Sequence, residues 1–298
     1  MPDLRKVILW MAGALIAFTT MAISVRELTG SLSIFEILAL RNISGIAILL
    51  VYTLAFARAG IGAPHPLWLH VLRNVFHFGG QSCWVYGLTK LSLATVFALE
   101  FTTPAWTMVL AVLFLGERIT VGRLASVLLG FVGVVVILRP GAGTFRPEGL
   151  VVLLAAVQFA VQLTTTKALT ARTSVLTILF WMNVMQLPLY LAAQALAFGP
   201  SLILPRLELA MLPALIGLCF SGLLAHVCIT NAFRHGEAIM VVPIDFLRIP
   251  LIATVGVMLY REAFDPIVLL GATISAVGIL WSLLEKTHTI RSREQTPA

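Results

Sequence analysis

An internal repeat with an offset of 145 residues is the feature that most limits how this chain can fold. At that offset Glu100, in LSLATVFALEFTTPAWTMVLAVLFLGERI, falls on Asp245, in GEAIMVVPIDFLRIPLIATVGVMLYREAF. Other pairs at the same offset are Phe101 with Phe246, Glu117 with Glu262, Gly133 with Gly278, Gln81 with His226 and Cys83 with Cys228. Duplication with polar groups at matching positions in apolar segments is typical of secondary transporters.

The apolar content of the repeat requires a membrane. Hydrophobic residues make up 59% of the chain and charged residues only 11%, whereas soluble domains carry roughly a quarter charged residues. A membrane-spanning helix needs about 20 mostly apolar residues. Ten segments meet that need, namely 7–25, 34–57, 67–89, 93–115, 122–138, 148–168, 175–198, 209–233, 238–260 and 266–284. We therefore predict an all-α integral membrane protein with ten transmembrane helices.

Five spans in each half make the two halves inverted relative to each other. An odd number of spans means that the second half enters the membrane from the opposite side. We predict a first five-helix repeat at 1–142, a second at 146–285 and a polar cytoplasmic tail at 286–298. The polar helices of both halves would then surround a central cavity.

The net charge of +7 is distributed mainly over loops and helix ends. This distribution sets membrane orientation and does not indicate a nucleic-acid partner. When the amino terminus is assigned to the cytoplasm, most Lys and Arg residues fall on that side, so we predict that both termini are cytoplasmic. Cys83, Cys219 and Cys228 lie in apolar segments, which favours free, packed thiols.

The repeated end of each half resembles a known family. The two copies read FLGERITVGRLASVLLGFVGVVVILRP and LYREAFDPIVLLGATISAVGILWSLL, each an apolar helix, a Glu-containing turn and a Gly-punctuated helix. This pattern is similar to that of the drug/metabolite transporter superfamily, EamA type, over about residues 5–285. Within it the chain is most similar to bacterial YddG-type aromatic amino-acid exporters. The resemblance implies a bacterial inner-membrane permease with a central cavity, embedded in membrane lipids.

Glu100 and Asp245 are the first candidates for a substrate site, because a carboxyl group deep in a membrane segment is costly unless it is paired, hydrated or protonated. Glu100 binds a substrate amino group or carries a proton; alternatively it is a satisfied carboxyl near a helix break. Arg248 follows Asp245 by three residues, and we favour a structural ion pair between them. In the alternative, Arg248 binds a substrate carboxylate.

Other polar and aromatic residues of the same segments are expected to complete a substrate site. His77 and Gln81 share a helix face, as do Gln158 and Gln162, and His226 is the repeat partner of Gln81. These five residues are predicted to line the cavity, with ordinary hydrogen bonding between helices as the rival interpretation. Phe18, Trp84 and Phe101 are predicted to stack on the substrate.

Four further residues are assigned structural roles. Glu117 and Glu262 are expected to lie near the N-termini of the helices that follow them, where exposed amides favour a carboxylate. Gly133 and Gly278 mark matching positions in those helices. Separately from these four, Arg41 is interpreted as a charge that reaches the membrane surface from near a helix start, with a direct functional role as the alternative.

The function expected from the sequence is export of aromatic and neutral amino acids by alternating access. A drug, purine or nucleoside exporter on the same scaffold is the alternative, whereas phosphorylated sugars would need more inward-facing charge than Arg41, Arg73 and Arg248 supply. A membrane-embedded lipid enzyme is a remote alternative, because the catalytic array it needs is missing from the sequence. We predict no metal and no cofactor, and the short loops make a monomer sufficient.

Overall fold

The computed structural model describes residues 3–56, 60–91, 93–138, 147–199 and 207–260, with scattered helical positions between 266 and 281. Within these residues the chain is helical and contains no strand. The helices are α1 (Leu4–Leu28), α2 (Ile34–Ala55), α3 (Leu67–Lys90), α4 (Leu93–Glu100), α5 (Thr103–Leu115), α6 (Val121–Leu138), α7 (Glu148–Thr170), α8 (Val175–Phe198), α9 (Leu212–His235), α10 (Ala238–Val241) and α11 (Arg248–Tyr260). Short 3₁₀ turns lie at Leu209–Met211 and Val242–Leu247.

Five helical segments of the described chain are long and apolar enough to cross a membrane, and they comprise α1, α2, α7, α8 and Leu209–His235. The protein is therefore a multi-pass integral membrane protein. α3 has a suitable length but carries a buried polar stripe of His70, Arg73, Asn74, His77 and Gln81. The complete ten-helix inverted arrangement stays a prediction, as does the tail at 286–298, which lies outside the described residues.

Two of the predicted spans are broken rather than continuous. The segment 93–115 divides into α4 and α5, and the segment 238–260 divides into α10, a 3₁₀ turn and α11. Proline lacks the amide hydrogen that would bond the carbonyl four residues earlier. At the first break the Thr103 hydroxyl donates instead to the Glu100 carbonyl, at 2.6 Å, in place of the Pro104 amide. At the second, the Arg248 amide donates to the carbonyls of Asp245 and Phe246.

Helices of the two halves pack against each other in crossed pairs. α1 lies along α9, α3 lies along α7, and α2 lies along α8. The bounds of α3, Leu67–Lys90, and of α9, Leu212–His235, differ by the repeat offset of 145 at both ends. The long helices of the first half therefore obtain their main partners from the second half, and the space between these pairs holds the polar residues.

The residues that were assigned structural roles from the sequence lie at contacts between helices where the structure describes them. A Cβ atom on Gly278 would lie 2.8 Å from Leu129 Cβ, so this glycine lets two helices approach, and Gly133 is buried. Glu117 was expected to lie at the N-terminus of the helix that follows it. Its carboxylate instead accepts hydrogen bonds from the Ala238 and Ile239 amides of α10, at 2.8 and 3.0 Å. The αL conformation of Gly116, with φ 67°, ends α5 immediately before Glu117. Glu262 lies outside the described residues.

The Glu117 contact predicts a loss of stability when the carboxylate is removed. Glu117→Ala should lower the free energy of unfolding by about 1–2 kcal/mol, because two helix-terminal amides lose their acceptor. Glu117→Gln should lose less, since its amide oxygen still accepts. The measurement is the thermal unfolding midpoint in detergent, with Glu148→Ala in the first turn of α7 as the matched control. Equal midpoints for Glu117→Ala and the control would contradict this role.

Candidate functional site

A cavity with about 720 Å³ of empty space, including its open part, lies between helices of both halves. Its wall contains residues of α1, α3, α4, α5, α7, α9, α11 and the second 3₁₀ turn. Nine of the predicted substrate-binding residues lie in this wall, namely Phe18, His77, Gln81, Trp84, Glu100, Phe101, Gln162, His226 and Asp245. The repeat partners Gln81 and His226 therefore face one space, as do Glu100 and Asp245.

Gln158 is the predicted residue that does not line the cavity. Its Nε2 lies 3.8 Å from Cys83 Sγ, and its Oε1 occupies the space that a side chain on Gly79 would need. The glycines of α3 allow α7 to approach so closely that Gln158 fills the helix interface. Gln162, one turn further on, does reach the cavity.

A four-residue cluster, which we call the Arg248 cluster, joins the two halves at the cavity wall. It consists of Arg248, Glu100, Asp245 and Trp84. Arg248 Nη2 donates to Glu100 Oε1 at 2.7 Å and to Asp245 Oδ2 at 2.5 Å. Trp84 Nε1 donates to Glu100 Oε2 at 2.6 Å. The predicted Asp245–Arg248 ion pair is confirmed, and Glu100 is an additional partner that the sequence did not indicate.

The two carboxylates of the cluster are unequally satisfied. Both oxygens of Glu100 have partners, which matches the interpretation of a satisfied carboxyl at a helix break. Asp245 Oδ1 is buried and has no hydrogen-bond partner. One guanidinium also serves both carboxyl groups. The carboxylate oxygen of the cluster that has no hydrogen-bond partner therefore belongs to Asp245 and not to Glu100.

Aromatic rings surround the guanidinium of Arg248. Its Cζ lies 5.1 Å from the ring centroid of Phe18 and 5.3 Å from those of Phe97 and Phe101. Such distances are typical of cation–π contacts. Phe101 also contacts Phe246, its repeat partner, with centroids 5.4 Å apart. Phe97 was missed by the sequence argument, although it lies one helical turn before Phe101.

Two histidines from different halves meet on another part of the wall. The rings of His77 and His226 are perpendicular with centroids 4.9 Å apart. His77 Nδ1 lies 2.7 Å from Gln186 Nε2, whereas both ring nitrogens of His226 are buried without a partner. Phe18 packs edge-on against His226. His226 thus offers the cavity an unused hydrogen-bonding group.

The cysteines and the possible metal ligands of the described residues were also considered as parts of the site. Cys83, Cys219 and Cys228 are free thiols. Among the described residues, His, Cys, Asp and Glu side chains do not gather in groups of three or more that could hold a metal ion. The arrangement is suited to reversible binding of a small molecule through rings, one carboxylate and several hydrogen bonds.

Comparison with known proteins places this geometry in a family. Residues 5–139 and 147–284 each match the EamA-like transporter family. An S-adenosylmethionine uptake transporter of Rickettsia bellii (strain RML369-C) is 29% identical, with 95% of each chain covered. A riboflavin transporter of Rhizobium johnstonii is 30% identical, with 97% of this chain and 93% of that protein covered. A pseudopaline exporter of Pseudomonas aeruginosa is 26% identical, over 88% of this chain and 90% of the relative.

A solved structure supports the fold alone. A crystal structure of a protein with 19% sequence identity superposes with a TM-score of 0.74 and covers 98% of this chain and 99% of that one. The narrower expectation of a YddG-type aromatic amino-acid exporter finds no support among these relatives, whereas the wider resemblance is confirmed. With both halves matched, the chain belongs to the EamA-like transporter family.

Proposed function

We propose that this transporter moves a small organic cation that carries an aromatic ring, in the first instance S-adenosylmethionine, across the bacterial inner membrane. The observation that carries the proposal is the Asp245 carboxylate in the wall of an aromatic cavity, where its Oδ1 has no hydrogen-bond partner. A carboxylate in a low-dielectric cavity favours a cationic guest. Four relatives are S-adenosylmethionine uptake transporters, which agrees with this charge.

The chemistry of the proposed substrate corresponds to the groups of the wall. S-adenosylmethionine carries a sulfonium, an ammonium, a carboxylate and an adenine ring. Asp245 attracts a cationic group, and the rings of Phe18 and Phe101 provide flat surfaces for it or for the adenine. Gln81, Gln162 and His226 offer hydrogen bonds to the polar edge of the base.

Glu100 serves this site by holding Arg248 in place. Because Trp84 and Arg248 occupy both of its oxygens, Glu100 orients the guanidinium that in turn orients Asp245. The earlier assignment of Glu100 to a substrate amino group is therefore replaced by a positioning role. Asp245 is thereby held in the cavity wall.

Transport follows from the predicted inverted repeat. The packing of α3 on α7 and of α1 on α9 has the form expected when two similar halves exchange partners. Small opposite changes in the two pairs would close the cavity on one face and open it on the other. The direction of net movement then follows the substrate gradient, so uptake and export use the same site.

One end of the helix assembly is tied together, which favours a resting state closed at that end. Lys167 Nζ, near the end of α7, donates to the carbonyls of Phe233 and Gly236, each at 2.6 Å. Arg123 forms an ion pair with Glu237 nearby. In the predicted orientation this end is cytoplasmic, so the resting cavity opens outward.

Riboflavin is the second candidate, favoured by the full-length riboflavin-transporter relative and by the ring-lined wall. It is uncharged, so Asp245 would add little to its binding. Amino acids, expected from the sequence, remain a third class to be tested on the same scaffold. A net positive charge therefore separates S-adenosylmethionine from riboflavin, which is uncharged, and from the neutral amino acids, whose two charges cancel.

The identity of the substrate can be tested by uptake into proteoliposomes. Proteoliposomes containing the protein should accumulate radiolabelled S-adenosylmethionine in a saturable manner, and unlabelled S-adenosylmethionine should compete. Riboflavin and phenylalanine should compete weakly. Asp245→Asn should weaken S-adenosylmethionine binding at least about tenfold, because a charged hydrogen bond becomes neutral.

Asp3→Asn, at the N-cap of α1, is the matched control for the loss of one carboxylate outside the cavity. It should transport as wild type does. Saturable uptake of riboflavin or phenylalanine in place of S-adenosylmethionine would transfer the assignment to that class. Equal affinity of wild type and Asp245→Asn for S-adenosylmethionine would refute the role of Asp245.

The Arg248 cluster is expected to contribute strongly to stability. Arg248→Met should lower stability by about 3–5 kcal/mol, because two buried carboxylates lose their shared counter-charge. Adding Glu100→Gln should recover part of that loss, since one carboxylate is removed. Thermal unfolding in detergent measures both variants. If the two substitutions destabilise additively, the carboxylates and the arginine are not energetically coupled.

A further inference from the structure

A buried arginine behind the histidine wall lacks a counter-charge. Arg41 of α2 is 2% exposed, so it does not reach the membrane surface as predicted from the sequence. Its Nη2 lies 3.5 Å from Gln186 Oε1, while its Nε and Nη1 are buried without a partner. No carboxylate of the described residues pairs with it. A buried charge left in this state is costly unless a ligand completes it.

A second buried arginine adds positive charge to the same region but is itself satisfied. Arg73 is fully buried and donates to the Thr166 hydroxyl, to Asn74 Oδ1 and to Met182 Sδ, at 2.8, 3.2 and 3.4 Å. The two arginines thus place two cationic groups among neutral partners. Only Arg41 retains unused donors.

Arg41 lies one side chain behind the cavity. Gln186 bridges it to His77, a residue of the cavity wall. Its aliphatic stem passes over Gly222 of α9, where a Cβ atom would lie 2.7 Å from both Cγ and Cδ of Arg41. The same Cβ would lie 3.8 Å from Sδ of Met21, another residue of the wall. The Arg41 stem and the flexible side chain of Met21 therefore both lie beside Gly222.

Other hydrogen-bonding groups face this region. His226, one helical turn after Gly222, has two ring nitrogens without a partner. The buried Tyr190 hydroxyl lies against the Arg41 guanidinium, and it can still donate its own hydrogen to a ligand. A carboxylate accepts from guanidinium, imidazole and hydroxyl donors, and a guanidinium binds it through two parallel bonds. The missing partner is thus an anionic acceptor of carboxylate size.

We propose that Arg41, with Tyr190 and His226, forms the subsite that binds the carboxylate of the transported molecule, while Asp245 binds its cationic group. The inference rests on the proposed function and narrows the substrate class to ring-bearing cations that also carry a carboxylate. S-adenosylmethionine has the required carboxylate, whereas riboflavin has none. Rotation of Met21 opens the subsite to the cavity.

The test compares ligands that differ by one carboxylate. Binding of S-adenosylmethionine and of decarboxylated S-adenosylmethionine is measured by calorimetry on the purified full-length protein. Wild type should bind the carboxylated ligand about 10- to 100-fold more tightly. Arg41→Gln should abolish that preference while leaving the affinity for the decarboxylated ligand within about threefold, since only the carboxylate contact is lost.

A glycine variant tests the position of Arg41 without removing its charge, should Arg41→Gln fail to fold. Gly222→Ala forces the Arg41 stem aside and should also reduce the preference at least about fivefold, a loss of part of one charged hydrogen bond. Gly217→Ala, on the same helix but against Ser24, is the matched control and should retain it.

Two outcomes would overturn the subsite. Equal wild-type affinities for the two ligands would mean that no carboxylate is recognised. An equal weakening of both ligands by Arg41→Gln would make Arg41 a structural residue. Failure of wild type to bind either sulfonium would instead refute the proposed function, which separates that failure from failure of the subsite.

Discussion

The sharing of Arg248 by two carboxylates is the interaction on which the site depends. Glu100 and Asp245 come from different halves of the chain, and one guanidinium nitrogen bonds both. Each carboxylate lies at a helix break, where proline prevents a regular helix and a side-chain or backbone donor takes the free carbonyl. The breaks therefore create the cavity wall, and Arg248 holds the broken ends together.

The sequence predicts which residues line this site better than it predicts how they interact with one another. The 145-residue offset identified Gln81, His226, Glu100 and Asp245, because duplicated helices place equivalent residues at equivalent depths. The bond between Arg248 and Glu100 was not predictable, since it joins residues 148 positions apart whose spacing carries no periodic signal. The placement of Gln158 in the cavity wall was wrong for a similar reason. Helix periodicity shows which face of a helix a residue occupies, but not which neighbouring helix covers that face.

Buried arginines show a further limit of sequence reasoning. Arg41 was expected to extend toward the membrane surface, as a charge near a helix start does when nothing else accommodates it. Gly222 instead provides a channel for its stem beside α9. Whether an arginine snorkels or stays inside is decided by a glycine on another helix, and that information is absent from the segment around Arg41.

Positions at which the two halves carry different residues make the two sides of the cavity chemically different. Thr103 is the counterpart of Arg248 at the 145-residue offset, and His77 is the counterpart of Gly222. A strictly symmetric pair of halves would place the same charge on both sides of the cavity. Here the second half supplies Arg248 beside the carboxylates. The first half supplies His77, whose counterpart in the second half, Gly222, leaves room for the Arg41 side chain. In the proposed transport cycle the two similar halves exchange shapes, and these differences would give a bound molecule one orientation.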